Sequence, residues 1–158
     1  MSEGARAAQD YALKLLGHRA RSEAELRGRL EAKGFAAAEI DQAIARLKEL
    51  RFLDDAAFAA DRAAALLGER GVGPEEAVRK LGAAGIDEPR AQVAIEQARA
   101  GAGEKELAER ALEKRRPRVD AGSPRAARVR AARWLVGRGF SEESVRALLD
   151  LVDESAPE

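Results

Sequence analysis

One histidine, His18, and no cysteine among 158 residues leave few ways to build a reactive site. Nucleophilic catalysis needs a base beside the nucleophile, and a structural or catalytic metal needs a cluster of ligands. A lone imidazole near a helix end serves better as a surface or dipole partner than as either. Asp54-Asp55 is a carboxylate pair, but adjacent acids at a helix start act as caps for its free N–H groups. Gly71-Val72-Gly73-Pro74 lacks the lysine and the spacing of a phosphate loop and reads as a turn. The residues therefore predict binding rather than catalysis, with no cofactor and no metal.

Charge is the informative anomaly. Net charge is zero, yet residues 110–140 carry ten basic and two acidic side chains. The candidates for contact with an acidic partner or with phosphates are Arg115, Arg116, Arg118, Arg125, Arg128, Arg130 and Arg133. On a helix expected over 124–138, Ala131 and Leu135 fall on the core side. At 100° per residue, Arg125, Val129, Arg133 and Val136 then lie roughly opposite. A stripe that mixes arginine with valine suits a docking face. The competing interpretation is an ordinary solvated surface balanced by the acidic residues 141–158. Three-helix units also bring helix-turn-helix domains to mind, but the third helices here are mixed or acidic, which disfavours groove reading. Weak backbone contact with DNA through 110–138 remains compatible with the sequence.

The elements that position these residues repeat. Lys33-Gly34-Phe35, Ala84-Gly85-Ile86 and Arg138-Gly139-Phe140 each place a glycine and an apolar residue where a helix ends. The glycines are 51 and 54 residues apart. Leu30, Leu81 and Leu135 precede the apolar residue by the same interval. Each glycine is followed by a helical apolar face: Ile40, Ala43, Ile44 and Leu47; Ala91, Ala94, Ile95 and Ala98; Val145, Leu148, Leu149 and Val152.

Caps agree with this division. Ser22-Glu23-Ala24-Glu25 forms a capping box, Gly73-Pro74 and Ser123-Pro124 set proline at a first helical position, and Asp54, Asp87 and Ser141 cap other helices. Helices are expected near 4–20, 22–33, 36–51, 54–70, 74–84, 88–100, 103–117, 124–138 and 141–154. The expected fold is all-α: an elongated, curved array of three tandem three-helix repeats over residues 4–53, 54–101 and 102–154. A loop insertion falls near 116–123 in the third. Trp134 and Phe140 are assigned to the core. No apolar run approaches the roughly 20 residues needed to span a bilayer, and no signal peptide opens the chain. A monomeric cytoplasmic protein is expected.

These residues resemble the RecX family of bacterial recombination regulators. The match runs from Arg19 through Ser22-Glu23-Ala24-Glu25-Leu26 and Leu30 to Lys33-Gly34-Phe35. It continues in Phe52-Leu53-Asp54-Asp55 with Phe58-Ala59, then Arg70-Gly71, Leu81 and Gly85-Ile86. The resemblance covers roughly residues 5–153. It implies a partner, the RecA filament on single-stranded DNA, and a role as a non-enzymatic modulator in recombination, DNA repair and the SOS response. Members lie in the filament groove and inhibit ATP hydrolysis and strand exchange. The alternative is a general DNA-associated helical protein acting through phosphate contacts.

Overall fold

Several helices start at a side-chain cap, and the helices ending near residues 33, 84 and 138 stop at the repeated glycines. In a computed structural model, which describes residues 1–151, the chain forms nine helices and no strand among the described residues. They are α1 (Glu3–His18), α2 (Glu23–Lys33), α3 (Ala37–Glu49), α4 (Asp55–Leu67), α5 (Pro74–Ala83), α6 (Glu88–Arg99), α7 (Glu104–Lys114), α8 (Arg125–Gly137) and α9 (Glu142–Leu149). Asp54, Asp87 and Ser141 accept from the N–H groups of Ala57, Arg90 and Ser144 at 3.1, 3.0 and 3.2 Å. Each satisfies one of the donors that a helix start leaves free.

Four local expectations are corrected. The capping box is half formed: Ser22 accepts from the Glu25 N–H at 3.1 Å, but the Glu25 carboxylate pairs with Arg19 at 2.9 Å instead of turning back. Helix α7 stops at Lys114 rather than 117, because Pro117 disfavours helical backbone at Arg116. Pro124 is the residue before α8 rather than its first, and the Ser123 hydroxyl turns back to Asp120 at 3.2 Å. Helix α9 ends at Leu149, where Asp150 adopts left-handed backbone with φ 52°, so the helix expected to 154 is shorter. Val152 and the rest of that expected segment lie outside the described residues.

The repeated apolar faces point into three separate cores. Leu26, Leu30, Ile40, Ala43, Ile44 and Leu47 form one with Ala8, Ala12, Leu15 and Leu53. Leu81, Ile86, Ala91, Ala94 and Ile95 form the second with α4 residues Phe58, Ala63 and Leu66. Ala131, Leu135, Phe140, Val145 and Leu149 form the third with Leu107, Ala111 and Val119. All the extensive helix–helix packing is within these sets: α1, α2 and α3; α4, α5 and α6; α7, α8 and α9. Leu81 is fully buried among alanines in the second core. Leu81→Ala is expected to cost about 2–5 kcal/mol, the range for a buried leucine. A denaturant midpoint equal to that of the parent would remove Leu81 from the core.

The units meet through their second helices. The Ser22 hydroxyl, fully buried at the start of α2, donates to the Ala84 carbonyl at the end of α5. In the same way the Gly73 N–H, at the start of α5, donates to the Arg138 carbonyl at the end of α8, at 2.7 Å. Asp54 and Asp55 divide their work at the first junction. Asp54 caps α4, whereas Asp55 accepts from the Glu23 N–H at 2.8 Å and lies 3.6 Å from Arg90. One carboxylate thereby ties the start of α2 to α6.

The close approach of these ends requires glycine at two positions. A Cβ at Gly85 would stand 2.2 Å from the Ala24 Cβ, and one at Gly139 would stand 2.6 Å from the Glu76 backbone nitrogen. Both residues also have left-handed backbone, with φ of 86° and 95°, which glycine adopts without steric cost.

Candidate functional site

The basic residues converge on the third unit, where α7, the insertion loop and α8 present them differently. Ala131 and Leu135 are fully buried, which fixes the rotation of α8. Arg125, Arg130, Arg133 and Val136 are consequently exposed, whereas Val129, expected on the same outward stripe, is half-buried. Among the described residues no carboxylate stands within ion-pair distance of Arg130 or Arg133. Two other exposed arginines are partnered: Arg110 meets Glu106 at 2.6 Å, and Arg46 meets Glu49 at 3.1 Å. Arg130 and Arg133 are therefore the guanidiniums on α8 best placed to meet an outside anion.

Three of the seven candidates have work inside the molecule. Arg128 donates to the carbonyls of Ser123, Leu149 and Asp150 at 3.0, 2.8 and 2.7 Å. It thus satisfies acceptors at the end of α9 that the helix itself leaves free. Arg115 lies over the Trp134 indole at 5.6 Å. Arg116 donates to the carbonyl of Glu113 at 2.6 Å, closing the end of α7. Arg118 is exposed at the lip of a cleft also lined by Glu109, Glu113 and Asp120. Arg128→Ala is expected to lower stability by about 1.5–3 kcal/mol, the usual cost for hydrogen bonds to a charged group. Its melting temperature should fall while binding per folded molecule stays at the parent level.

Sequence reasoning placed Trp134 in the core, and the structure places it at the rim. The indole is half-buried, with the Arg138 guanidinium 5.1 Å from its centre. Guanidinium over an indole face is a favourable electrostatic pairing. The same Arg138 side chain donates to the Gly71 carbonyl at 3.0 Å and to that of Arg70. It is a junction residue, holding the third unit to the second. The four-residue spacing of Trp134 and Arg138 was the sequence signal for this pair. Phe140 is core, at 2% exposure.

Glu23 is committed to structure, paired with Lys48 and Arg27. Burial alone would raise the pKa of Glu23, but hydrogen bonds from Lys48 and Arg27 prevail and hold it below the ordinary carboxylate value. No group of three or more His, Asp or Glu among the described residues is arranged to hold a metal. No helix among them is long and apolar enough to cross a membrane.

Comparison with known proteins agrees with this architecture. A family model for the first three-helix domain of RecX matches residues 8–47. Regulatory protein RecX of Chlorobaculum tepidum is 35% identical over 159 residues, covering 99% of this chain and 96% of the relative. Its counterpart in Thermus thermophilus is 37% identical over 130 residues, covering 82% and 81%. The crystal structure of RecX from Lactobacillus salivarius superposes with a TM-score of 0.74 at 21% identity, covering 96% of this chain and all of that one. A second crystal structure of regulatory protein RecX gives 0.77 at 22% identity, covering 94% and 74%. The structures establish the fold, the sequence matches establish kinship, and the chain belongs to the RecX family of regulatory proteins.

Proposed function

We propose that this chain binds the RecA filament on single-stranded DNA and inhibits its ATP hydrolysis and strand exchange, as a monomeric cytoplasmic regulator of recombination and repair. Residues 4–53, 54–101 and 102–154 act as three linked units in this reading. Three cores in series allow one chain to reach across several subunits of a polymer. The single observation that carries the choice of surface is the exposed Arg130 and Arg133 pair on α8, without carboxylate partners among the described residues. Arg118 and Arg125 extend that surface, while Arg115, Arg116 and Arg128 make contacts inside the molecule.

The test is ATP hydrolysis by the cognate RecA on single-stranded DNA, with and without this protein. A concentration-dependent fall in rate is expected. An unchanged rate, with tight and steeply salt-dependent binding to bare DNA, would favour the second reading, a DNA-associated protein acting through phosphate contacts. The mixed charge of the exposed third helices gives that second reading less support.

A further inference from the structure

The second helices of this array abut in series, and one seat in the series is open. The end of α8 receives the start of α5, and the end of α5 receives the start of α2. At each junction the residue before the glycine supplies its carbonyl, Arg138 to the Gly73 N–H and Ala84 to the Ser22 hydroxyl. Complementary helix ends meet there, free N–H groups against free carbonyls. The end of α2 repeats the same design with Lys33, Gly34 and Phe35. Gly34 has the same left-handed backbone, φ 100°, yet no atom lies within 4 Å of where its Cβ would be.

Openness at this end has a visible consequence. Ile86 and Phe140, which follow the two seated glycines, are 3% and 2% exposed. Phe35 holds the equivalent position but is only half-buried, 6.2 Å from the half-buried Tyr11 ring. Lys33 lies over that ring at 5.3 Å, and Arg29 stands one turn earlier on the same exposed side of α2.

We propose that the Lys33–Gly34–Phe35 end of α2 is a docking seat for the first turn of an α-helix on another protein, one with acidic residues in that turn. Both helix starts that fill the seat inside this chain have acidic first turns, Glu23 and Glu25 in α2, Glu75 and Glu76 in α5. Ala24 of α2 is the residue that meets Gly85, and Glu76 of α5 is the one that meets Gly139, so each glycine admits the backbone of an acidic first turn. The basic rim at Arg29 and Lys33 matches such a turn in charge. A second copy of this chain fits poorly: of its second helices only α8 has a start not already used in a junction, and that start carries Arg125 and no acid. Terminal units of repeat arrays ordinarily close with a polar outer face, and the half-buried aromatic pair departs from that pattern. This seat lies on the first unit and does not depend on the α8 surface.

The probe is a hydrocarbon-stapled helical peptide with the sequence of residues 22–33, the segment that seats on Gly85. It is titrated into the isotope-labelled full chain and followed by amide chemical shifts. Saturable shifts are expected at Tyr11, Lys33, Gly34 and Phe35. Binding should fall about fivefold in Lys33→Glu, the upper value for an exposed ion pair. It should be lost when both glutamates in the first turn of the peptide are replaced by lysine, which the basic rim repels. Absence of shifts at millimolar peptide, or equal binding by the lysine peptide, overturns the proposal. So would a thymidine oligonucleotide shifting the same residues at lower concentration, which would make the rim a phosphate surface. Concentration-dependent self-association abolished by Lys33→Glu would instead assign the seat to a second copy.

Discussion

Reversing charge at Arg130 and Arg133 together should leave the helical circular dichroism and melting temperature at parent values while removing most of the inhibition of RecA filaments. Both side chains are exposed on α8, whose core contacts are made by Ala131 and Leu135. An exposed charge contributes only about 0–1 kcal/mol to folding. In a desolvated interface an arginine can contribute about 2 kcal/mol or more, and each 1.4 kcal/mol is about tenfold in affinity. Losing two should weaken binding on the order of 1,000-fold. The matched control is Arg46→Glu with Lys48→Glu on α3, whose partners are Glu49 and Glu23. Inhibition by the α8 double variant equal to that of the parent, with loss in the control, would move the working face to the first unit. A parent whose affinity for the filament is insensitive to salt would argue against phosphate contact through these arginines.

Gly139→Ala should destabilise the protein by about 2–5 kcal/mol, whereas Gly34→Ala should cost only about 1–2. Left-handed backbone is shared, with φ of 95° and 100°. That common strain costs about 1–2 kcal/mol for any residue with a Cβ. What differs is space. The new methyl at Gly34 meets nothing within 4 Å, while at Gly139 it would stand 2.3 Å from the Glu76 Cβ and 2.6 Å from its backbone nitrogen. Backbone inside the first turn of α5 cannot step aside as a flexible side chain could, so overpacking adds a further 1–3 kcal/mol. Because units of such an array stabilise one another through their junctions, the Gly139 variant should also unfold less cooperatively in urea. Equal losses at the two glycines would show that the junction is looser than described and that strain alone accounts for both.

The two variants also mark the boundary between what the sequence revealed and what folding added. The helical faces were legible because burial imposes a period: Ile40, Ala43, Ile44 and Leu47 are all buried, as are Ala131 and Leu135. Asp54, Asp87 and Ser141 were legible as caps because the bond reaches only three residues ahead. The left-handed glycines were equally local. Helix ends were less so. Helix α7 stopped early for a reason present in the sequence, Pro117, but α9 stopped where Arg128 gathers the carbonyls of Leu149 and Asp150 from 21 and 22 residues away.

Contacts across that distance decided the rest. Composition marked residues 110–138 as basic and periodicity turned Arg130 and Arg133 outward, yet neither could show that Arg128 turns inward or that Arg115 and Arg138 flank Trp134. A guanidinium is long and carries five donors, so its partner is chosen by whichever acceptors or rings the packing brings within reach. Asp54 and Asp55 make the same point in one dipeptide. The first serves its own helix, whereas the second, with the same chemistry, serves the start of α2, 32 residues earlier. The caps Asp54, Asp87 and Ser141, whose partners lie three residues ahead, were determined by the sequence alone. Side chains whose partners lie across a junction were decided by the packing of one unit against the next, because only the assembled chain brings their donors and acceptors to bonding distance.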